Sequence, residues 1–420
     1  MNRIVLAALI GTALLPSSAY AVEKSAILGN YADIAAAAYG DAYATAQTMN
    51  AAIQALITTP TAETLAAAKV AYLAARVPYM QTEAFRFGNA IVDDWEGKVN
   101  AWPLDEGFID YVDASYGEAT EENELAVLNV IATPKFELAG APVDATVITP
   151  ALLESTLQEA DGVTANVATG YHAIEFLLWG QDLNGTGPGA GNRPFTDYAA
   201  GAACTGGNCD RRAAYLVAAS DLLVSDLGTM AADWQPAGAA RAAVMADETA
   251  GIATILTGMG SLSYGEMAGQ RIKLGLMLND PEEEHDCFSD NTHASHYYDT
   301  VGIRNVYLGR YTGVDGRMIS GPSLADLVAA ADPAVDTALR HDLDGSVAAA
   351  AVLVDAATSG TSYDMLLAPG NDAGEQMIMG LVDALVTQTK SVERAVSALG
   401  LANVGFEGSD SLDNPDAVFQ

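Results

Sequence analysis

Residues 168–182 read ATGYHAIEFLLWGQD. His172 and Glu175 are three apart, so on a helix their side chains share one face, one turn removed. Their neighbours Ala173, Ile174, Phe176, Leu177, Leu178 and Trp179 leave such a helix almost no polar side, and that predicts burial all round. A carboxylate in such a place needs a cation, an arginine or a set of hydrogen-bond donors to compensate it. An imidazole and a carboxylate on one helical face are natural ligands for zinc or iron. The plainer alternative is a core histidine bonded to Glu175 or to a backbone carbonyl.

Working outward, the same helical spacing recurs along the chain, alanine dominates and β-branched runs are few. One helix is expected from Lys24 to Ile57. A second starts with Thr61 as N-cap and carries Pro78 as a kink. The text is irregular from Gly88 to Gly117, becomes helical near Glu121, breaks over 135–149 and returns from Pro150 through Trp179. Further helices are expected at about 210–232, 238–258, 260–279, 291–311, 322–330, 332–357 and 371–399. The fold class is all-α, two successive helical-bundle domains with long loops. Their expected limits are 22–190 and 211–420, joined by a Gly-rich segment at 191–210.

The chain has 420 residues, half of them hydrophobic, and a net charge of −35. That field repels nucleic acid and anionic membrane and attracts cations. Residues 1–21, MNRIVLAALIGTALLPSSAYA, have the arginine, short apolar run and small-residue ending of a secretory signal peptide. The run is too short to span a membrane as a mature helix, and no cysteine follows it to take a lipid anchor. The expected product is exported, periplasmic if the source has a periplasm, and not membrane-spanning. Of three cysteines, Cys204 and Cys209 in CTGGNC read as a small-loop disulfide. Cys287 is left over, either buried and inert or close to the chemistry.

Two other polar clusters interrupt apolar helical text. In YMQTEAFRFGN, Glu83 and Arg86 lie three apart, as an internal ion pair or as a metal ligand with an arginine that orients an anion. DPEEEHDCFSDNTHASHYYD, 280–299, holds three of the five histidines. There Asp290 and His293 can join a mixed nitrogen and oxygen set, while Glu282, Glu283 and Glu284 read as a solvated acidic run. Neither a Gly-x-Ser-x-Gly elbow nor a His-Glu-x-x-His pair occurs, so serine hydrolase and zincin signatures are missing.

Taken together, GYHAIEFLLWGQD, QTEAFRFGNAIVDDWEGKVNAWPLDEGFIDYV and SDNTHASHYYDTVGIRNVYLGRY resemble the imelysin family, peptidase M75, in its iron-regulated protein A-like branch. The resemblance implies an exported helical protein of two bundles, with a Gly-x-His-x-x-Glu motif, here Gly170, His172 and Glu175, near their interface. It also implies a part in iron acquisition, with a metal ion or iron chelate and other iron-uptake components as partners. His172 and Glu175 match the motif, and Glu83, Asp290, His293 and the orienting Arg86 fall in matching stretches. The expected cofactor is a divalent or ferric ion, iron favoured over zinc. Two alternatives stand beside this: a zinc-dependent peptidase built on His172 and Glu175, and a metal-free module for a small organic ligand.

Overall fold

A computed structural model describes residues 23–120, 123–402 and 404–419. The expected signal peptide lies outside the described residues. The chain opens with α1 (Lys24–Thr58), whose stripe of Tyr31, Ile34, Ala38, Ala42, Met49, Ile53 and Leu56 is buried at helical spacing. Thr61 then starts α2 (Ala62–Met80) through a reciprocal cap: its hydroxyl accepts from Thr64 N at 3.2 Å, and its own amide donates to the Thr64 hydroxyl at 3.0 Å. Pro78 lies in the last turn of α2, which runs two residues further.

The motif stretch forms α3 (Gly170–Trp179), and every one of its ten residues is buried. It packs on α2 and on α4 (Cys209–Asp233), and α4 in turn lies along α1. The expected boundary at 191–210 therefore falls between helices that pack on one another. The disulfide Cys204–Cys209 forms, with Cα atoms 6.0 Å apart. Arg193 and Arg212 clamp the same segment on buried Asp110, at 2.7 Å and 2.5 Å. By length and composition α4 is apolar enough to cross a membrane, but half of its most apolar window is buried. Leu216, Leu223 and Leu227 are fully enclosed against its neighbours, the position of a core helix.

The second half is built from α5 (Glu248–Ser261), α6 (Thr292–Leu308), α7 (Pro333–Thr358) and α8 (Asp372–Ala398). α8 packs on α7, and α6 packs on both α7 and α2, so α6 couples the halves. Asp332 caps α7 by accepting from the amides of Ala334 and Val335, with Pro333 in the first turn. Two small antiparallel hairpins, β1 (Lys135–Leu138) with β2 (Ala141–Asp144) and β3 (Arg310–Thr312) with β4 (Met318–Ser320), complete the fold. It is all-α in class.

Three stretches depart from the helical expectation. Residues 123–131 turn, because the amides of Asn129, Val130 and Ile131 donate to the carbonyls of Gly107, Phe108 and Ile109 and not within a helix. Residues 158–169 break the run into α3: Glu159 and Asp161 take positive φ, and the Gln158 side chain accepts from the amides of Ala168 and Thr169. After Ser261 the helix widens into a π-helical segment, Leu262–Lys273, a winding associated with functional or strained positions.

Candidate functional site

α3 is aimed by its first residue. Gly170 has φ +80°, a Cβ there would come within 2.5 Å of the Val99 carbonyl oxygen, and the Tyr171 amide donates to that same oxygen at 2.7 Å. This locks the helix start onto the loop 97–103 and sets the register that places His172 and Glu175 one turn apart inside the protein.

Both side chains are fully buried, with His172 Nδ1 3.1 Å from Glu175 Oε2. Glu175 is thoroughly engaged. Oε2 also accepts from the Tyr72 hydroxyl at 3.2 Å, and Oε1 accepts from the Ser289 amide and hydroxyl at 3.0 Å and 2.5 Å. His172 Nε2 is buried without a partner among the described residues. The rings of Trp102 and His285 lie against His172, centroids 5.2 Å and 4.7 Å away.

The loop before α6 supplies the third member. Asp286 is buried, and a ligand atom from each of His172, Glu175 and Asp286 lies within 4.8 Å of the others. Arg76 on α2 holds Asp286, Nε to Oδ1 at 2.9 Å and Nη2 to Oδ2 at 3.2 Å, and donates from Nη1 to Asn100 Oδ1 at 2.6 Å. Burial alone would raise the Asp286 carboxyl, but Arg76 and His285 hold it well below the usual carboxylate range. His285, 3.2 Å from Asp286 by its Nδ1, is pushed well below the ordinary imidazole range by burial and by Arg271. The group thus combines one imidazole, two carboxylates and one buried guanidinium. It suits a cation of mixed nitrogen and oxygen preference such as iron or zinc. A cleft of about 540 Å³ is lined in part by Asn100, half-buried Trp102, Arg271 and His285, and so includes the two residues whose rings lie against His172.

The remaining predicted residues fall elsewhere. Glu83 is buried against Arg271 at 2.7 Å, and Arg271 also reaches Glu266 at 2.8 Å and Asp299 at 3.3 Å. Arg86 pairs with Asp93 at 2.9 Å and with Glu96 and Glu266 at 3.4 Å. These form a separate ionic network between the 83–96 region and the π-helical segment. Asp290 groups with Asp182 and Asp364. Mostly buried His293 has its Nδ1 unpartnered among the described residues, and it lies outside the His172 group. Buried His296 is held to about 3 by burial and Arg271. Glu284 is not solvated, as its place in an acidic run suggested, but 1% exposed, because the loop turns inward from it to Phe288. Cys287 is a buried free thiol, pushed well up by burial and by nearby Glu282 and Glu175.

Arg76, Asp286 and Ser289 escaped the sequence reading, although each left a trace. Arg76 stands four after Tyr72 and three before Tyr79, on the core stripe of α2. Asp286 and Ser289 bracket the apolar pair Cys287 and Phe288.

Residues 35–392 match the imelysin family, peptidase M75. The chain belongs to the imelysin family. Two solved structures share its fold. An iron-regulated protein A precursor from Parabacteroides distasonis ATCC 8503 aligns with a TM-score of 0.64 at 19% identity, over 90% of this chain and 95% of its own. An imelysin-like protein from Psychrobacter arcticum 273-4 aligns with a TM-score of 0.58 at 15% identity, over 91% and 97%. Comparison with curated proteins gives no match. Placed in this imelysin, Gly170, His172 and Glu175 are the start and the inward face of one buried helix.

Proposed function

We propose that this imelysin is an exported metal-binding protein of iron acquisition, with His172, Glu175 and Asp286 holding the ion. The observation that carries the reading is the convergence of these three buried groups from α3 and from the loop before α6, while the His172 Nε2 lone pair is left without a partner. A buried imidazole nitrogen with nothing to bond is costly unless something electrophilic meets it. Glu175, fixed by Tyr72 and Ser289, also orients the His172 ring, as carboxylates commonly do for metal-bound histidines.

Charge supports the reading as well. Two carboxylates against one Arg76 guanidinium leave a negative excess for a cation to neutralise. When bound, the ion supplies Lewis acidity, while the chain's own residues orient the ligands and exclude water. Iron is preferred over zinc because a structural relative is named iron-regulated. The family's peptidase name has weaker support, since no general base separate from the three ligands stands within the group.

The test is elemental analysis and titration with ferrous, ferric and zinc ions, wild type beside His172→Ala and Asp286→Asn, at moderate salt. One tight equivalent, lost in both variants with helical content intact, supports the reading. Equal binding by wild type and both variants would return the three residues to a purely structural role.

A further inference from the structure

Asp182, Asp290 and Asp364 come from three separate segments, yet a carboxylate oxygen from each lies within 4.8 Å of the others. Asp182 follows the end of α3, Asp290 lies in the loop before α6, and Asp364 sits on the short helix Tyr363–Leu367, which packs on α8. A cluster of acids on an acidic protein would mean little alone. Here two neighbouring carboxylates are buried with nothing to bond. Asp364 is 2% exposed and Glu284 is 1% exposed, and all four of their oxygens lack a hydrogen-bond partner among the described residues. Ser362 and the Met365 amide near Asp364, and Thr292 near Glu284, exert some pull without completing a bond. Asp290 Oδ1 is unpartnered too, and so is the hydroxyl of Tyr363 beside Glu284.

Buried and half-buried carboxylates this close repel one another and call for an opposite charge. A cation satisfies the oxygens and the charge together. From this geometry we infer that Asp182, Asp290 and Asp364, backed by Glu284, form a second cation site, distinct from the His172 group and specific for a hard divalent ion of the calcium class. The donors are all oxygen, which disfavours softer ions, and they come from loops and a short helix that tolerate calcium's flexible coordination better than magnesium's strict octahedron. Asp182 keeps an oxygen free for this, since its Oδ1 is the one that accepts from the Asn184 amide and side chain.

The site would tie the end of the motif helix to the loop that delivers Asp286 and Ser289 to the His172 group, and both to the C-terminal helices. It does not depend on what the His172 group binds.

The deciding experiment is calorimetric titration of the full, metal-stripped chain with calcium chloride at neutral pH and moderate salt, with Tm followed in parallel. Wild type and His172→Ala should each bind one equivalent, and Tm should rise by about 2–4 °C at a hundredfold excess over Kd. In Asp364→Asn the affinity should fall tenfold or more and the rise in Tm should vanish. Asp182→Asn, at a half-buried loop position, gives the same readout if Asp364→Asn folds poorly. Equal calcium binding by wild type and the variants, or no saturable equivalent in wild type, would overturn the site. Loss of calcium binding in His172→Ala would overturn its independence.

Discussion

Arg76 and Asp286, 210 positions apart, face one another in the core with Nε 2.9 Å from Oδ1, and neither side chain is more than 1% exposed. This pair joins α2 to the loop before α6 and fixes the third member of the His172 group. Removing the guanidinium leaves a buried carboxylate unpaired, which typically costs about 3–5 kcal/mol. Arg76→Met should therefore lower stability in chemical denaturation by that order. Arg76→Lys should recover only part, because an ammonium cannot reach both oxygens and Asn100 as the planar fork does. A double variant, Arg76→Met with Asp286→Leu, should be less destabilised than Arg76→Met alone. Equal stability of Arg76→Met and wild type would show that the pair is not what holds the loop.

Gly170 makes a second, purely steric prediction. A Cβ at this position meets the Val99 carbonyl oxygen at 2.5 Å, and the backbone φ of +80° is one that side chains resist. Gly170→Ala should destabilise by about 1–3 kcal/mol through strain and shift the start of α3. Metal affinity should fall along with Tm although no ligand has changed. Unchanged affinity with lowered Tm would mean that the ligand positions do not depend on the helix start.

The long helices were legible because their alanine-rich text repeats apolar residues at helical spacing, and the Thr61 cap was legible because its signal is local. The turn at 123–131 was not, since its amides pair with residues about twenty positions earlier. His172 and Glu175 stood out by their apolar surroundings. Asp286 did not, because its partners lie on α2 and α3, and no local pattern encodes contacts of that separation. Glu83 and Arg86, three apart, suggested an ion pair with one another, but Glu83 pairs with Arg271, and Arg86 with Asp93, Glu96 and Glu266; Arg271 and Glu266 sit on the π-helical segment, whose winding the spacing does not reveal. Glu284 shows the opposite case, since a run of three acids looks solvated in the sequence although the loop turns Glu284 inward.

The Cys204–Cys209 disulfide closes a loop with a sequence separation of 5 at the start of α4. Loop-closure entropy for so short a ring is worth about 2 kcal/mol. The Cys204→Ser/Cys209→Ser variant should lose stability of that order yet keep its metal stoichiometry, since Arg193 and Arg212 still clamp the segment on Asp110. A loss of bound metal in this variant would connect the Gly-rich loop to the His172 group in a way the ion-pair clamp does not explain.

Glu106 offers a pH test that touches neither cation group. Burial, reinforced by Glu282, pushes its carboxyl up to about 8 from an unfolded value of 4.5. With the folded value raised, the native state keeps a proton that the unfolded chain has released. The group therefore costs no stability below about pH 4.5, and its cost grows as pH rises until it is complete above about pH 8. Between pH 6 and pH 8.5 that growth amounts to on the order of 2 kcal/mol, at 1.36 kcal/mol per unit. Glu106→Gln removes the titration while keeping the shape. The stability difference, Glu106→Gln minus wild type, measured by urea unfolding on metal-free protein, should become more positive by that order between these two pH values. A difference that stays constant would mean that Glu106 is ionised in the folded chain throughout, with its charge met by a partner other than a proton.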